Sequence, residues 1–460
     1  MISAKKTLLI ITQLFISSHV LFSADTKVGR KPNIVFIMVD DLGPGWVDFD
    51  GSNEELNTPN LQKMAENGIV FTRAYAAAPV CSPTRAACIT GMSPAQIGLT
   101  THIPGVAGRR HSAPKGGPID APSINQLPLE LPSYARELKK LGYATTFIGK
   151  WHLAGEGSVK TADGVVDSKF HPEHFGFDHN IGGCAYGQPK SWFDPYKNGT
   201  IENNEKGQYL TDRFADETIA FITENKDKPF LVNLWPYNAH RPFKAPKELF
   251  KKNDNNHYLG MLEALDLAIG RILTSLEELK LSENTLVVFY SDNGGEVATK
   301  GLAEFKGSLL EGGLRVPMVA TWPAVMPKGE SCAEPITSMD FFPTFVHMAG
   351  GKTTKIKELE GVDLMPLFKG EKKFPERSLY WHYPHNRKKV KYNMGGVVLS
   401  GNLKFYHGYG IRPNALFDLE KDPMEKTNLI KKKPSVAKSM LREHKNWLKK
   451  VGAKMPPEVK

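Results

Sequence analysis

Cysteine is scarce in this chain. Four residues (Cys81, Cys88, Cys184 and Cys332) in 460 are too few for a disulfide scaffold, so the fold has to rest on an apolar core. If Cys81 is reserved for chemistry, three remain and at most one bridge can form, and Cys88 is expected to pack in the core. Long apolar runs are also missing. Past the N-terminus nothing reaches the roughly 18 residues of a membrane-spanning helix, so stable membrane insertion is not expected. No internal repeat is present. Acidic residues are in the minority, 49 against 59 basic, for a formal charge of +10. That balance suits polyanionic partners, sulfated sugars as well as nucleic acid or membrane, although the Lys-rich tail (Lys431 to Lys433, Lys449, Lys450) reads equally as a solvated helix face.

What is present is an ordinary globular composition, 41% hydrophobic and 23% charged, in a length that suits one large domain with a smaller companion. The first two dozen residues read as a signal peptide: Lys5 and Lys6 precede a mostly apolar Leu8 to Phe22, with cleavage after Ala24. Export, to the periplasm or outside the cell, is the expectation. The domain reading is residues 1–24 as leader, 25–375 as a large α/β catalytic domain, and 376–460 as a smaller α+β domain.

Four apolar runs have the composition of strands buried on both faces: Asn33 to Val39, Tyr143 to Ile148, Phe230 to Trp235 and Thr285 to Tyr290. Each delivers polar residues just past its end. They are Asp40-Asp41, then Lys150 and His152, then His240, then Asp292-Asn293. Helical periodicity lies between them, at Leu210 to Ile222 and Leu259 to Leu279. The expected architecture is therefore a large, mostly parallel sheet flanked by helices. In such a sheet ligands bind at the C-terminal edge, so these residues can converge. The region from Gly91 to about Pro132, rich in Gly and Pro, reads as long surface loops.

A second constellation starts at Cys81 in the stretch CSPTRAACITG. A helix beginning there places Cys81 at free backbone N–H groups and at the positive end of the dipole, with Arg85 one turn on. Adjacent carboxylates after a buried strand repel, and need a cation or hydrogen bonds. Asp40, Asp41, Asp292 and Asn293 form an oxygen-only set, which suits calcium or magnesium over zinc. Arg85, Lys150, Lys306, His152 and His240 are more positive groups than a neutral substrate needs. They fit an oxyanion ester, sulfate or phosphate.

With these residues in hand, the chain resembles the formylglycine-dependent (type I) sulfatase family of the alkaline phosphatase superfamily. Cys81-Ser82-Pro83-Thr84-Arg85 with Thr90-Gly91 matches the modification signature, and Gly142 to Thr145 with Gly149-Lys150-Trp151-His152 matches the second. Asp40 to Gly43, Asn238 to His240, Ser291 to Gly295, Lys306-Gly307, Glu311 to Gly313 and the segment around Leu416 to Leu429 look like the remaining motifs. The resemblance spans roughly residues 32 to 430. It implies that a formylglycine-generating maturation enzyme oxidises Cys81, and that a hydroxyl of the hydrated aldehyde attacks sulfur. It also implies one calcium ion on Asp40, Asp41, Asp292, Asn293 and residue 81. His240 and Lys306 would serve the leaving oxygen, His152 would act as base, and Arg85 and Lys150 would hold formylglycine and sulfate oxygens.

The expected substrate is a sulfated carbohydrate, and neither nucleic acid nor membrane is an expected partner. His102, Arg109, His111, His174, Tyr186, Trp192, His385 and Arg387 are candidate substrate contacts, with Tyr186 and Trp192 able to stack on a sugar. The alternatives are a phosphodiester or phosphonate ester hydrolase of the same superfamily and, from a different class, a non-catalytic sulfated-glycan binder. A zinc phosphatase is disfavoured because Asp292-Asn293 stands where that group carries Asp-His.

Overall fold

The computed structural model describes residues 30–50, 56–103, 119–155, 168–387 and 389–457. The leader reading and the candidates Arg109 and His111 lie outside them. All four expected strands form. They are β1 (Asn33–Val39), β3 (Ala144–Gly149), β5 (Phe230–Trp235) and β6 (Thr285–Ser291), joined by β2 (Ile69–Phe71), β4 (His179–Ile181), β7 (Val319–Thr321) and β8 (Glu330–Cys332). The sheet runs β8-β2-β7-β6-β1-β5-β3-β4, and only β7 opposes the rest.

Every residue of β1 is buried because the strand has a helical layer on each side. Ile34, Phe36 and Met38 pack with the helices Cys81–Thr90, Tyr134–Lys140 and Phe341–Met348. Val35, Ile37 and Val39 pack with Pro59–Glu66, Leu210–Glu224 and His257–Glu278. Strand register aligns the ends of the central strands. Val39 pairs with Ser291, Ile37 with Leu234, and Trp235 with Gly149, all parallel. The residues after β1, β3, β5 and β6 therefore emerge side by side.

The first part of the Gly/Pro-rich region, up to Ile103, departs from its expectation. Ser93, Leu99, Thr100, Thr101 and Ile103 are buried, and a short helix, Pro94–Ile97, is capped by Ser93. This segment is threaded between the sheet core and the C-terminal region. Ile103 N donates to Ser82 Oγ at 3.0 Å, Thr100 Oγ1 bonds His385 Nε2 at 2.8 Å, and Ile124 N reaches Gly98 O at 2.9 Å. Its polar groups are satisfied inside the protein, so polar composition misrepresents it as surface. The four cysteines are unpaired and Cys88 is buried, as its packing reading required.

The C-terminal region is an antiparallel sheet of β9 (Ser378–Tyr383), β10 (Gly395–Ser400), β11 (Leu403–Gly408) and β12 (Ala415–Asp418), covered by the basic helix Pro434–Lys450. One buried cation ties it to the site. Lys404 Nζ donates to Glu311 Oε1 at 2.9 Å and pairs with Glu425 Oε1, also at 2.9 Å, and Glu311 N donates to Glu425 Oε2 at 2.7 Å. Glu311 opens the Glu311–Leu314 turn, whose Gly313 O accepts from Gly294 N at 3.0 Å. A Cβ on Gly294 would lie 2.0 Å from Gly312 O, so only glycine permits that approach.

Lys404→Met leaves buried Glu425 without a cation and Glu311 with only Arg315 Nη1 at 4.0 Å. The expected loss of stability is about 3–5 kcal/mol, read from denaturant unfolding, and a loss within error of zero would contradict this account of the junction.

Candidate functional site

Cys81 is the first residue of its helix, buried, and preceded by extended Val80; Gly91 ends the helix in the left-handed conformation. Arg85, one turn on, is fully buried. Its Nη2 and Nε reach Asp292 Oδ2 at 2.7 and 2.9 Å, and its Nη1 donates to Lys150 O at 2.7 Å. Lys150 Nζ meets Asp40 Oδ2, and Lys306 Nζ meets Asp41 Oδ2, both at 2.6 Å. His240 Nε2 lies 3.5 Å from the same Asp41 oxygen, and Asn293 Nδ2 donates to Asp41 Oδ1 at 2.9 Å. Residues predicted from four strand ends and one helix thus form one cluster.

The electrostatics derive from burial and pairing. Asp41 is held below the ordinary carboxylate range: burial opposes this, but Lys306, His240 and Lys150 outweigh it. Asp292 is pushed up by burial and by the Asp40 charge, against the pull of Arg85. Burial lowers His240 to about 4, and burial with Lys150 beside it holds His152 well below the ordinary histidine range. Burial raises the Cys81 thiol despite Lys150 and Lys306, so an unmodified thiol stays protonated at neutral pH.

Within this cluster two oxygens accept no hydrogen bond although buried. They are Asp40 Oδ1, with Arg85 Nη2 at 3.6 Å, and Asn293 Oδ1. Ligand atoms of Asp40, Asp41 and Cys81 lie within 4.8 Å of one another. Orphaned acceptors in an oxygen-rich cluster are what a hard cation satisfies, so this donor set fits calcium. Asp292 is differently engaged. Its Oδ2 is taken by Arg85, and its Oδ1 accepts Asp41 N at 3.2 Å.

His152 sits at φ 57°, in the left-handed region that L residues rarely adopt, as does Asp41 at 60°. Its Nε2 makes a short hydrogen bond to Ile103 O, while Nδ1 is buried without a partner. A carbonyl only accepts, so Nε2 carries the hydrogen and Nδ1 the lone pair. Gly187 packs against this ring; a Cβ there would lie 2.7 Å from Nε2.

Of these groups, Cys81, His152, His240 and Lys306 line a cavity of about 630 Å3. Of the expected substrate contacts, His102, Tyr186 and Arg387 line it, and His385 lines an adjoining cavity. His174 lines neither and is exposed on the short helical turn Pro172–Phe175, whose Pro172 and Phe175 are buried. Trp192 is a correction. It is buried, stacked on Tyr209 with its Nε1 donating to Pro242 O at 2.7 Å, and so it is core and not a sugar platform. Lys190, Arg241 and Glu296 also line the cavity without having been singled out from sequence. Only Arg241 had a cue, its place directly after His240.

Removing Lys150 should expose what the cluster's neutrality is worth. Lys150→Met is expected to cost about 3–5 kcal/mol by stranding Asp40, and adding Asp40→Asn should recover a substantial part. Urea unfolding of the two single variants and the double variant measures the coupling. Simple additivity would contradict the pairing.

The Sulfatase family profile matches residues 32–351, and the profile described as N-sulphoglucosamine sulphohydrolase, C-terminal, matches residues 305–453. Steryl-sulfatase of Homo sapiens is 28% identical over 522 aligned residues, covering 90% of this chain and 87% of that protein. Arylsulfatase A of Homo sapiens is 30% identical over 469, covering 89% and 85%. Among solved structures, Ps i-CgsB in complex with k-i-k-neocarrahexaose superposes with a TM-score of 0.76 at 30% identity, covering 91% of this chain and 93% of that one. The fold is alkaline phosphatase-like, a large mixed sheet between helices with a smaller C-terminal sheet domain. With the family profile running from just before β1 to just past the helix Phe341–Met348, the chain belongs to the type I sulfatase family and is a sulfuric ester hydrolase.

Proposed function

We propose that this protein is an exported sulfatase that releases sulfate from sulfated carbohydrates, using a formylglycine made from Cys81 and one calcium ion. The observation that carries the reading is a buried Cys81, protonated as a thiol, at a helix N-terminus. It shares its cavity with His152, His240 and Lys306, and orphaned carboxylate and amide oxygens lie beside it. A buried thiol of raised pKa is a poor nucleophile, which favours chemistry by a modified residue. A carbohydrate substrate is supported by the relative Ps i-CgsB, whose complex holds k-i-k-neocarrahexaose. In this reading residues 25–375 carry the reacting centre and residues 376–460 form the smaller domain. The leader at 1–24 directs export, and a formylglycine-generating enzyme matures the chain. No described helix is long and apolar enough to cross a membrane.

Formylglycine at position 81 supplies the nucleophile, and calcium held by Asp40, Asp41, Asp292 and Asn293 supplies positive charge against the developing oxyanion. The chain's own groups do the rest. Arg85 and Lys150 hold Asp292 and Asp40 in place and keep the carboxylates ionised when the site fills. Neutral His152, with Nε2–H committed to Ile103 O, accepts a proton at Nδ1 from residue 81. Lys306 Nζ and His240 Nε2, both facing Asp41 Oδ2, serve the leaving oxygen. His240 gains proton affinity when an anionic ester arrives, which suits it to donate.

The tryptic peptide Ala74 to Arg85, from protein produced with a maturing enzyme, is expected to carry an aldehyde in place of the thiol. Matured protein should then release sulfate from aryl and sugar sulfates, and Cys81→Ala should release none. A fully active enzyme with an unmodified thiol, or faster turnover of phosphodiesters than of aryl sulfates, would sink this reading. For the metal, calcium added to chelator-treated protein should raise the melting temperature, by about 2.7 kcal/mol of stability at a hundredfold excess over Kd. Zinc stabilising where calcium does not would contradict the oxygen-only site.

A further inference from the structure

Beside the cavity that holds Cys81 lies a second, of about 370 Å3, which Cys81 does not line. The two share His102, Glu296, Lys306 and Arg387, so Arg387 stands in the wall between them, and Lys389 lines the second alone. Arg387 is held in place. Its carbonyl accepts from Asn393 Nδ2 at 2.7 Å and from Val390 N at 3.1 Å, fastening the turn that comes after β9. Its side chain lies against Gly307, the residue after Lys306. A Cβ there would sit 2.6 Å from Arg387 Cδ and 2.8 Å from Nε, and Gly307 has φ +91°, which also favours glycine.

The guanidinium has no carboxylate partner among the described residues. The Tyr383 hydroxyl lies near it, and Asp41 acts on it only through space. Glu296 is the only carboxylate among the described residues lining either cavity, and it is engaged by Arg241 at 3.1 Å. A half-buried guanidinium without a counter-charge is costly unless an anion arrives. The reacting centre does not call for this cation. There Arg85, Lys150 and Lys306 already match Asp40, Asp41 and Asp292 in contact.

We propose that Arg387, with Lys389 beside it, forms a second oxyanion subsite, so that the preferred substrate is a saccharide carrying a further sulfate ester or carboxylate near the sulfate that is cleaved. The fork of a guanidinium matches the paired oxygens of either group. The proposal rests on reading the Cys81 centre as the sulfate-cleaving one.

The test compares matured wild type and Arg387→Ala on monosulfated N-acetylgalactosamine, its disulfated form, and the monosulfated sugar joined to a uronic acid. The quantity read is the ratio of kcat/KM with the second anion to that without it. In Arg387→Ala this ratio should fall by about ten- to a hundredfold, with Arg387→Lys between. The disulfate and uronate arms decide which anion is taken. Crystals soaked in sodium selenate give a readout that needs no turnover: anomalous scattering at Arg387 in the wild type and none there in Arg387→Ala. An unchanged ratio, or no selenate at Arg387, overturns the subsite. Failure to release sulfate from any substrate, aryl sulfates included, sinks the sulfatase reading instead, while selenate held at Arg387 still upholds the subsite.

Discussion

Lys150 reaches Asp40, Lys306 reaches Asp41 and Arg85 clamps Asp292, all out of water and within hydrogen-bonding distance. Neither the carboxylates nor the cations could remain ionised in that place alone. Much of the molecule is arranged around keeping them together. The parallel register of β1 with β5 and β6, and of β5 with β3, brings the strand ends to one edge, and the Cys81 helix brings Arg85 from the layer above. Charge neutrality is reached before any ligand enters, yet two oxygens remain without donors. A site of this kind is stable enough to fold and leaves two buried acceptors that the proposed calcium would satisfy.

Around that cluster, backbone groups do as much as side chains. The tautomer of His152 is set by the carbonyl of Ile103, and Ile103 N is in turn held by Ser82 Oγ, next to Cys81. In the proposed reading the base and the nucleophile position are therefore linked through one buried residue, Ile103. Gly187 leaves the space the imidazole occupies, and Gly294 lets the turn after β6 close against Gly312 and Gly313. Rigid support of this sort holds reacting groups in place at little entropic cost during turnover.

The division of labour between the two sheets is physical as well. Chemistry-bearing residues sit at the ends of buried parallel strands, where position is over-determined by packing on both faces. Cavity walls come from loops, including the turn after β9 that carries His385 and Arg387. Lys404 anchors the smaller sheet to the Glu311 turn, so the wall it contributes keeps its place relative to Lys306. Substrate preference can then vary in the walls without disturbing the reacting centre.

Strand composition determined the four central strands, because a strand buried on both faces must be apolar throughout, and it determined which polar residues come after each. The pairing of Cys81 with Arg85 was also legible, since helical spacing alone puts them on one face. Tertiary structure decided the rest. Trp192 and Tyr186 look alike in sequence, but one fills the core against Tyr209 and the other lines the cavity. The residues from Gly91 to Ile103 carry a loop's composition and lie buried, because their hydrogen bonds are made to residues as distant as His385. Periodicity reports only which face of a local element is apolar. Which loop closes over which strand end depends on contacts between residues hundreds of positions apart, and those exist only once the chain has folded.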